Sequence, residues 1–314
     1  MAVHEHERVK PDLDKIRKAG AIAAEARDHG ATLLQEGRRL LDIAEELEEL
    51  IRKKGAEPGF PVNISLNNDA AHYTPVIDDP RKLQAGDLVK LDLGAHIEGH
   101  LGDTAVTVEV GTSRHARMIE ASREAVNTAI GAVKDGLPLQ QVGKLIDDTI
   151  RGYGYKPISN LTGHSIEVFE LHAGVSVPNI PKGQGNLHDG MVIAIEPFAT
   201  DGVGHIKEAE PGNIWHFMGA KPQRNPHAKK LLDYIEEHHG ELPWAERWLV
   251  GSGVDKKWIP FALRLLNRAG CVSPYAVLRE AGDGMVTQAE HTLIVHADKG
   301  EVTTAGKLWP PKAA

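Results

Sequence analysis

The sequence predicts an α/β (α+β) fold: an antiparallel sheet flanked by helices, built from an internal repeat, with a helical subdomain inserted in the second copy. Three observations predict it. Amphipathic helical stretches alternate with short β-rich runs over the 314 residues. Residues 86–110, GDLVKLDLGAHIEGHLGDTAVTVEV, read as two β-rich runs around a glycine-containing loop, a hairpin. Finally, the second half lays over the first.

In chain order, residues 12–35 read as a helix and 39–53 as a second one. Leu40, Ile43, Ala44, Leu47, Leu50 and Ile51 form a stripe of helical period, closed by Gly55 and then Pro58. After the hairpin come helices at about 114–134 and 139–151, the second ended by Gly154 and Pro157. Strand-like runs follow at 191–196 and 286–296.

At an offset of 99, Leu40, Ile43, Leu47, Ile51, Arg52, Gly55 and Pro58 fall on Leu139, Val142, Ile146, Ile150, Arg151, Gly154 and Pro157. The apolar matches alone would fit two unrelated amphipathic helices, but the Arg, Gly and Pro matches argue for a duplication. His72 falls one residue from the counterpart of His172. At an offset of 104, Gly86 and Asp92 fall on Gly190 and Glu196, and DTAVTVEV from Asp103 resembles EHTLIVHA from Glu290. Asp92 thus pairs with Glu196 and Asp103 with Glu290, about a pseudo-twofold. Asp92 and Asp103 are 11 residues apart, whereas Glu196 and Glu290 are 94 apart. The difference is made up by about 222–285, with helical stretches such as HAKKLLDYIEEHH and WIPFALRLLNRAG, read as an inserted helical subdomain in a single domain spanning 1–314.

A net charge of −8 argues against nucleic acid as the main ligand, since phosphate binding usually leaves a basic surface. A lone cysteine, Cys271, excludes an internal disulfide and favours a reducing compartment. No apolar run reaches membrane-spanning length and MAVHEHERVK lacks a signal-peptide core, so the expected location is the cytoplasm, with no membrane partner.

The chemistry lies in Asp92, Asp103, His164, Glu196 and Glu290, each set in apolar or small residues (VKLDLG, LGDTAV, LTGHS, AIEPFA, TQAEHTLIV). An acid buried in such a setting is costly unless neutralised. No run of Arg or Lys accompanies them, so the four carboxylates would repel one another. Two divalent cations would resolve that repulsion, and mixed oxygen and nitrogen donors suit Mn, Fe, Co or Zn. A single strand aspartate such as Asp92 is more often a turn-end or solvated residue, but that explanation weakens for five residues in matched contexts. His96, His100, His4, His6, His238 and His239 read as solvated, as does the acid-rich helix face EELEELIRKK.

The segments FPVNISLNNDAAHYTP, VKLDLGAHIEGHLGDTAVTV, LTGHSIEVFELHAGVSVPN, AIEPFAT and TQAEHT closely resemble the methionine aminopeptidases. The insert resembles that of type 2, and the short N-terminus looks archaeal. The resemblance covers about residues 10–305 and implies the pita-bread fold, whose pseudo-twofold agrees with the repeat. It implies an enzyme that removes the initiator methionine from nascent chains when the next residue is small, by attack of a metal-bridging hydroxide on the first peptide bond. The implied cofactors are two divalent ions (Co, Mn, Fe, Zn or Ni), about 3.5 Å apart. Asp92 would ligate one and His164 and Glu196 the other, with Asp103 and Glu290 bridging. Glu196 would also relay the water's proton. His72 and His172 would hydrogen-bond the substrate carbonyl and the developing tetrahedral centre. Phe60 would wall the methionine pocket, and Tyr275 matches an active-site tyrosine of type 2. The residues of GHIKEAEPGNIWHF do not align unambiguously with pocket positions. Nascent polypeptides beginning with Met are the implied partner, with ribosome association and a monomeric state as further expectations.

Two competing readings exist. A proline-specific pita-bread peptidase would place its last two glutamates close together, against the 94-residue spacing here. A non-catalytic binding paralogue would usually have lost ligands, and this chain retains all five.

Overall fold

The computed structural model describes residues 11–309. Helices α1 (Leu13–Leu33) and α2 (Leu40–Lys53) open the chain, followed by strands β1 (Glu57–Leu66), β2 (Asp69–Ala71), β3 (Leu88–Ile97) and β4 (His100–Glu109). Helices α3 (Ala116–Ile130) and α4 (Leu139–Gly152) precede β5 (Lys156–Pro157), β6 (Thr162–Ile166), β7 (Ser176–Pro178), β8 (Val192–Ile195), β9 (Phe198–Thr200) and β10 (Ile206–Phe217). Then come α5 (Pro226–His238), β11 (Trp244–Ala245), two 3-10 turns (Glu246–Ser252 and Lys256–Trp258), α6 (Ile259–Ala269), β12 (Val272–Glu280), β13 (Val286–Gln288), β14 (Glu290–Val295) and β15 (Gly300–Val302).

The large sheet has the order β1-β3-β4-β14-β8-β6-β7, with β15 on β14. Its pairs are antiparallel. The order is symmetric about the β4/β14 junction: β3 corresponds to β8 and β1 to β6, as the repeat requires. The repeat reaches the hydrogen bonds. Gly55 and Gly154 follow α2 and α4 with φ of 84° and 86°, a conformation that favours glycine. Each helix closes the same way: the Ala56 N–H donates to the Ile51 carbonyl and the Tyr155 N–H to the Ile150 carbonyl, both at 3.3 Å.

Strand alternation divides the sheet into two faces. Val89, Leu91, Leu93 and Ala95 join the core with α1 and α2 residues such as Ala23, Ala26, Leu40, Ile43 and Leu47. Ile193, Ile195, Leu293 and Val295 join that with Met118, Ala125, Val142, Ile146 and Ile150 of α3 and α4. The helices therefore cover the odd-numbered face of β3, β8 and β14. The even-numbered face is left for the site.

Two expectations change. The run 286–296 is not one strand: it breaks at Ala289, β13 pairing with β9 and β14 with β8 and β4. Glu196 and Pro197 break the partner strand at the same level, with the Ala289 N–H donating to the Pro197 carbonyl at 3.3 Å. The stretch 222–285 is also not wholly helical. Its helices lie within Pro226–Ala269, and Val272–Glu280 is β12, between β10 and β2 in a four-stranded sheet. Two helices pack with Trp215, Trp244 and Val272 at the start of β12 as a satellite core, whereas the rest of β12 runs on along β10. No helix of the described residues is long and apolar enough to cross a membrane.

Candidate active site

Strand register brings the five candidate ligands to one face. Asp92 and Glu290 both lie opposite Ala105, from β3 and β14 on either side of β4. Asp103 is two residues from Ala105 on β4 and so points the same way. On β8, Ala194 lies opposite His164 of β6, and Glu196 follows Ala194 by two. The neighbouring strands β3, β4, β14 and β6 carry four of the set, and Glu196 directly follows β8 between β14 and β6, with small Ala105 and Ala194 leaving room between them.

Asp103, His164 and Glu290 each offer a ligand atom within 4.8 Å of the others. The His164 Nε2 lies 3.7 Å from both Asp103 Oδ2 and Glu196 Oε1. Gln288 donates from Nε2 to Asp92 Oδ2 at 3.2 Å and to Glu196 Oε2 at 3.4 Å. Among the described residues, no lysine or arginine pairs with any of these acids. Asp92 Oδ1, Asp103 Oδ1, Glu290 Oε2 and His164 Nδ1 are buried without a hydrogen-bond partner. Such atoms are costly unless something satisfies them. The donor set and its orphaned oxygens fit divalent cations.

The electrostatics agree. Burial pushes Asp92 up to about 7, partly opposed by the Gln288 donor. Burial first, then neighbouring carboxylates, holds Asp103, Glu196 and Glu290 well above the usual carboxylate range. Without cations the cluster would retain protons. Burial, with His172 nearby, pushes His164 down to about 3, leaving it a neutral donor atom for a metal.

A cavity of about 210 Å³ adjoins these residues and is lined by the remaining predicted ones, Phe60, His72, His172 and Tyr275. His172 packs against His164 with ring centroids 4.4 Å apart, and Tyr275 against His72 at 5.4 Å. Phe60 is 6% exposed and lies opposite Gly94 of β3. A Cβ at Gly94 would come within 2.6 Å of the Phe60 ring, so glycine makes room for it. A register shift between Phe60 and Asn63 lets both face the cavity despite their odd spacing.

Burial first, then His172, lowers His72 to about 4, and burial lowers His172. Both rings are neutral at pH 7. The His72 Nδ1 faces the Ala276 carbonyl at 3.2 Å. Nδ1 therefore carries the proton and Nε2 a lone pair.

Several lining residues escaped sequence reasoning. Asn63 lies opposite Asp92 on β1, the strand that corresponds to β6, so the first repeat offers an amide on the side where the second offers His164. Phe198 lies two residues from Glu196, and Gln288, which bonds to Asp92 and Glu196 without lining the cavity, lies two from Glu290, a spacing that strand alternation could have used. Ile214 carried no signal, because shifts in the β10 register hide which residues face inward, and Pro243 lies in a loop just before β11 with no local pattern to mark it. Some histidines were also misread. His100 is buried, its Nδ1 facing the Ile97 and Glu98 carbonyls, because the hairpin loop folds over it. His96 packs on Phe169, and His239 stacks on Trp244 with burial lowering it to about 4. His238 is exposed and stacks on Tyr234, and His4 and His6 lie outside the described residues.

A family model for metallopeptidase family M24 matches residues 14–235. A methionine aminopeptidase of Methanocaldococcus jannaschii is 43% identical over 292 residues, 93% of this chain and 98% of that protein. One from Pyrococcus abyssi is 45% identical over 295 residues, 93% and 99% of the two chains. Among solved structures, a thermophilic Arx1 superposes with a TM-score of 0.79 at 16% identity, covering 97% of this chain and 93% of that one. A methionine aminopeptidase from Thermotoga maritima gives 0.68 at 21%, covering 95% and 99%. Prolidase from Pyrococcus furiosus gives 0.61 at 20%, covering 96% and 65%. At these identities the structural likenesses show the pita-bread fold alone.

Proposed function

The chain belongs to metallopeptidase family M24 and is a metal-dependent hydrolase that removes N-terminal methionine; from that premise we propose that Asp92, Asp103, His164, Glu196 and Glu290 hold two divalent ions beside a methionine-sized cavity. The observation that carries this reading is the single sheet face on which all five residues meet, with buried oxygens left unpartnered. Sheet order supports the division of ligands. Asp103 and Glu290, on the central strands, would be shared by the two ions, Asp92 of β3 would hold one, and His164 of β6 with Glu196 just past β8 would hold the other.

When bound, the two ions supply an activated water and a Lewis-acid contact for the peptide oxygen. The chain's residues do the rest. Glu196 accepts the proton of the attacking water and returns it to the leaving amine. His172 donates a hydrogen bond to the substrate carbonyl oxygen as charge develops there. His72 takes a different part from that expected of the pair: its Nε2 lone pair accepts from the peptide N–H, since Nδ1 is committed to Ala276. Phe60 and Phe198, with Ile214, wall the apolar end of the cavity, where the thioether side chain sits. Tyr275 borders it against His72. The substrates are nascent chains with a small second residue, processed in the cytoplasm by a single catalytic domain carrying its insert.

The test is release of methionine from Met-Ala-Ser by purified protein, chelated and then reloaded separately with Mn, Fe, Co, Zn or Ni. Turnover with at least one ion and none on X-Pro peptides is expected. No release with any ion would sink the reading, and preferential X-Pro cleavage would move the chain to the proline-specific branch.

A further inference from the structure

Within EELEELIRKK of α2, one glutamate does not face water. Glu48 is 2% exposed and pairs with Arg247, from the first 3-10 turn of the insert and 6% exposed. The guanidinium is shared: Nη2 donates to Glu48 Oε1, while Nη1 donates to Thr74 Oγ1 at 2.7 Å and to the Pro75 carbonyl at 3.3 Å. Glu48 also accepts from the Val62 N–H at 3.1 Å and the Trp248 indole N–H at 2.8 Å. The Thr74 hydroxyl donates to the Val62 carbonyl at 2.8 Å, closing the network.

Apart from α2, the segments joined here lie beside walls of the active-site cavity. Val62 is flanked on β1 by Phe60 and Asn63, and Thr74 is two residues from His72. Arg247 is four residues from Pro243, and β11 between them pairs Ala245 with Ile214. His72 has φ of 66°, a left-handed conformation uncommon for a side-chain-bearing residue. Such a conformation persists only where its surroundings hold it. The Ala276 carbonyl holds the ring, and the Thr74–Arg247 link holds the backbone just beyond it. A buried ion pair adds little net stability over an apolar replacement, so stability is a weak reason for this one.

We propose that Arg247 and Glu48 are positioning residues for His72: the insert's arginine clamps the 72–75 turn against β1 and so sets where the imidazole stands in the cavity. The inference rests on the aminopeptidase reading and gives the insert a part in catalysis without contact with substrate.

Removing Arg247 alone would strand a buried carboxylate, so two gentler variants are the better test. Thr74→Val is isosteric and removes the hydroxyl, with Thr74→Ser as its rescue. Glu48→Gln combined with Arg247→Met neutralises both partners and keeps an acceptor for Val62. Metal content, unfolding temperature, kcat and KM for Met-Ala-Ser, and the His72 ring NMR signal (assigned by its loss in His72→Ala) are read in each. Thr74→Val and the double variant should fold and hold metal as the wild type does, with a moved His72 signal. Their kcat should fall about 10- to 100-fold with KM little changed, the scale expected for a misplacement on the order of 1 Å, and Thr74→Ser should restore it. Wild-type kcat with an unmoved His72 signal in folded, metal-loaded variants would overturn the proposal, as would loss of metal alongside loss of activity. Inactive wild-type protein would strike at the aminopeptidase reading instead, and the His72 signal would still decide the placement.

Discussion

Gathering Asp92, Asp103, Glu196 and Glu290, buried or half-buried, around His164 makes sense only with positive charge among them, and no lysine or arginine among the described residues provides it. Asp103→Asn removes a proposed central ligand and is expected to lower metal content, read by elemental analysis, and to abolish turnover together. Full metal occupancy in that variant would contradict its place between the ions. The histidines should separate from the ligands. His172→Ala is expected to lower kcat by about 10²-fold with both ions retained, the typical cost of losing a donor to developing negative charge. His72→Ala should also keep its metal while kcat falls, and metal loss there would make it a ligand instead.

Strands and turns decide what these residues can do. On β3 the even positions carry Asp92 and Gly94 to the site while Leu91 and Leu93 pack under the helices. Gly94→Ala should push Phe60 off its rotamer, an overpacking cost of about 1–3 kcal/mol. The expected result is a raised KM for Met-Ala-Ser with unchanged metal content, and an unaltered KM would remove Phe60 from the pocket wall. At this scale α2 and α4 were legible, because their apolar period and closing glycines are local signals. The break at Ala289 was not, since EHTLIV and VTQ read as one β-rich run and only pairing with β9 assigns VTQ to another sheet. The β1 register shift and the burial of Glu48 were hidden for the same reason: each depends on a partner far along the chain.

For the whole molecule, the cluster links folding to metal and protons. A carboxyl held above its ordinary range keeps its proton in the metal-free fold after the unfolded chain has lost it, above about pH 4. The cluster therefore withdraws stability from the metal-free protein as pH rises through that value, until the folded group itself ionises, near 7 for Asp92. Divalent ions replace those protons. His164, down at about 3, stays neutral in the fold across this window, while the unfolded imidazole sheds its proton near 6.5 and so returns part of that stability as pH rises. The gain in Tm on metal addition should thus be larger at pH 7.5 than at pH 5. Metal titration of the chelated protein should also release protons, read as calorimetric heats that vary with the buffer's ionisation enthalpy. Equal gains in Tm and buffer-independent heats would show that the acids are already ionised without metal.

The sequence by itself determined the duplicated unit, and it marked out the candidate ligands and their pairing of Asp92 with Glu196 and Asp103 with Glu290. These are written in short-range period and in the chemistry of single residues. The tertiary structure decided that all five share one sheet face, that Asn63 stands on β1 where the second repeat brings His164, and that Glu48 meets Arg247 some two hundred residues away. Strand register and long-range ion pairs come from packing between distant segments, and a local pattern carries no record of which segment will be the neighbour.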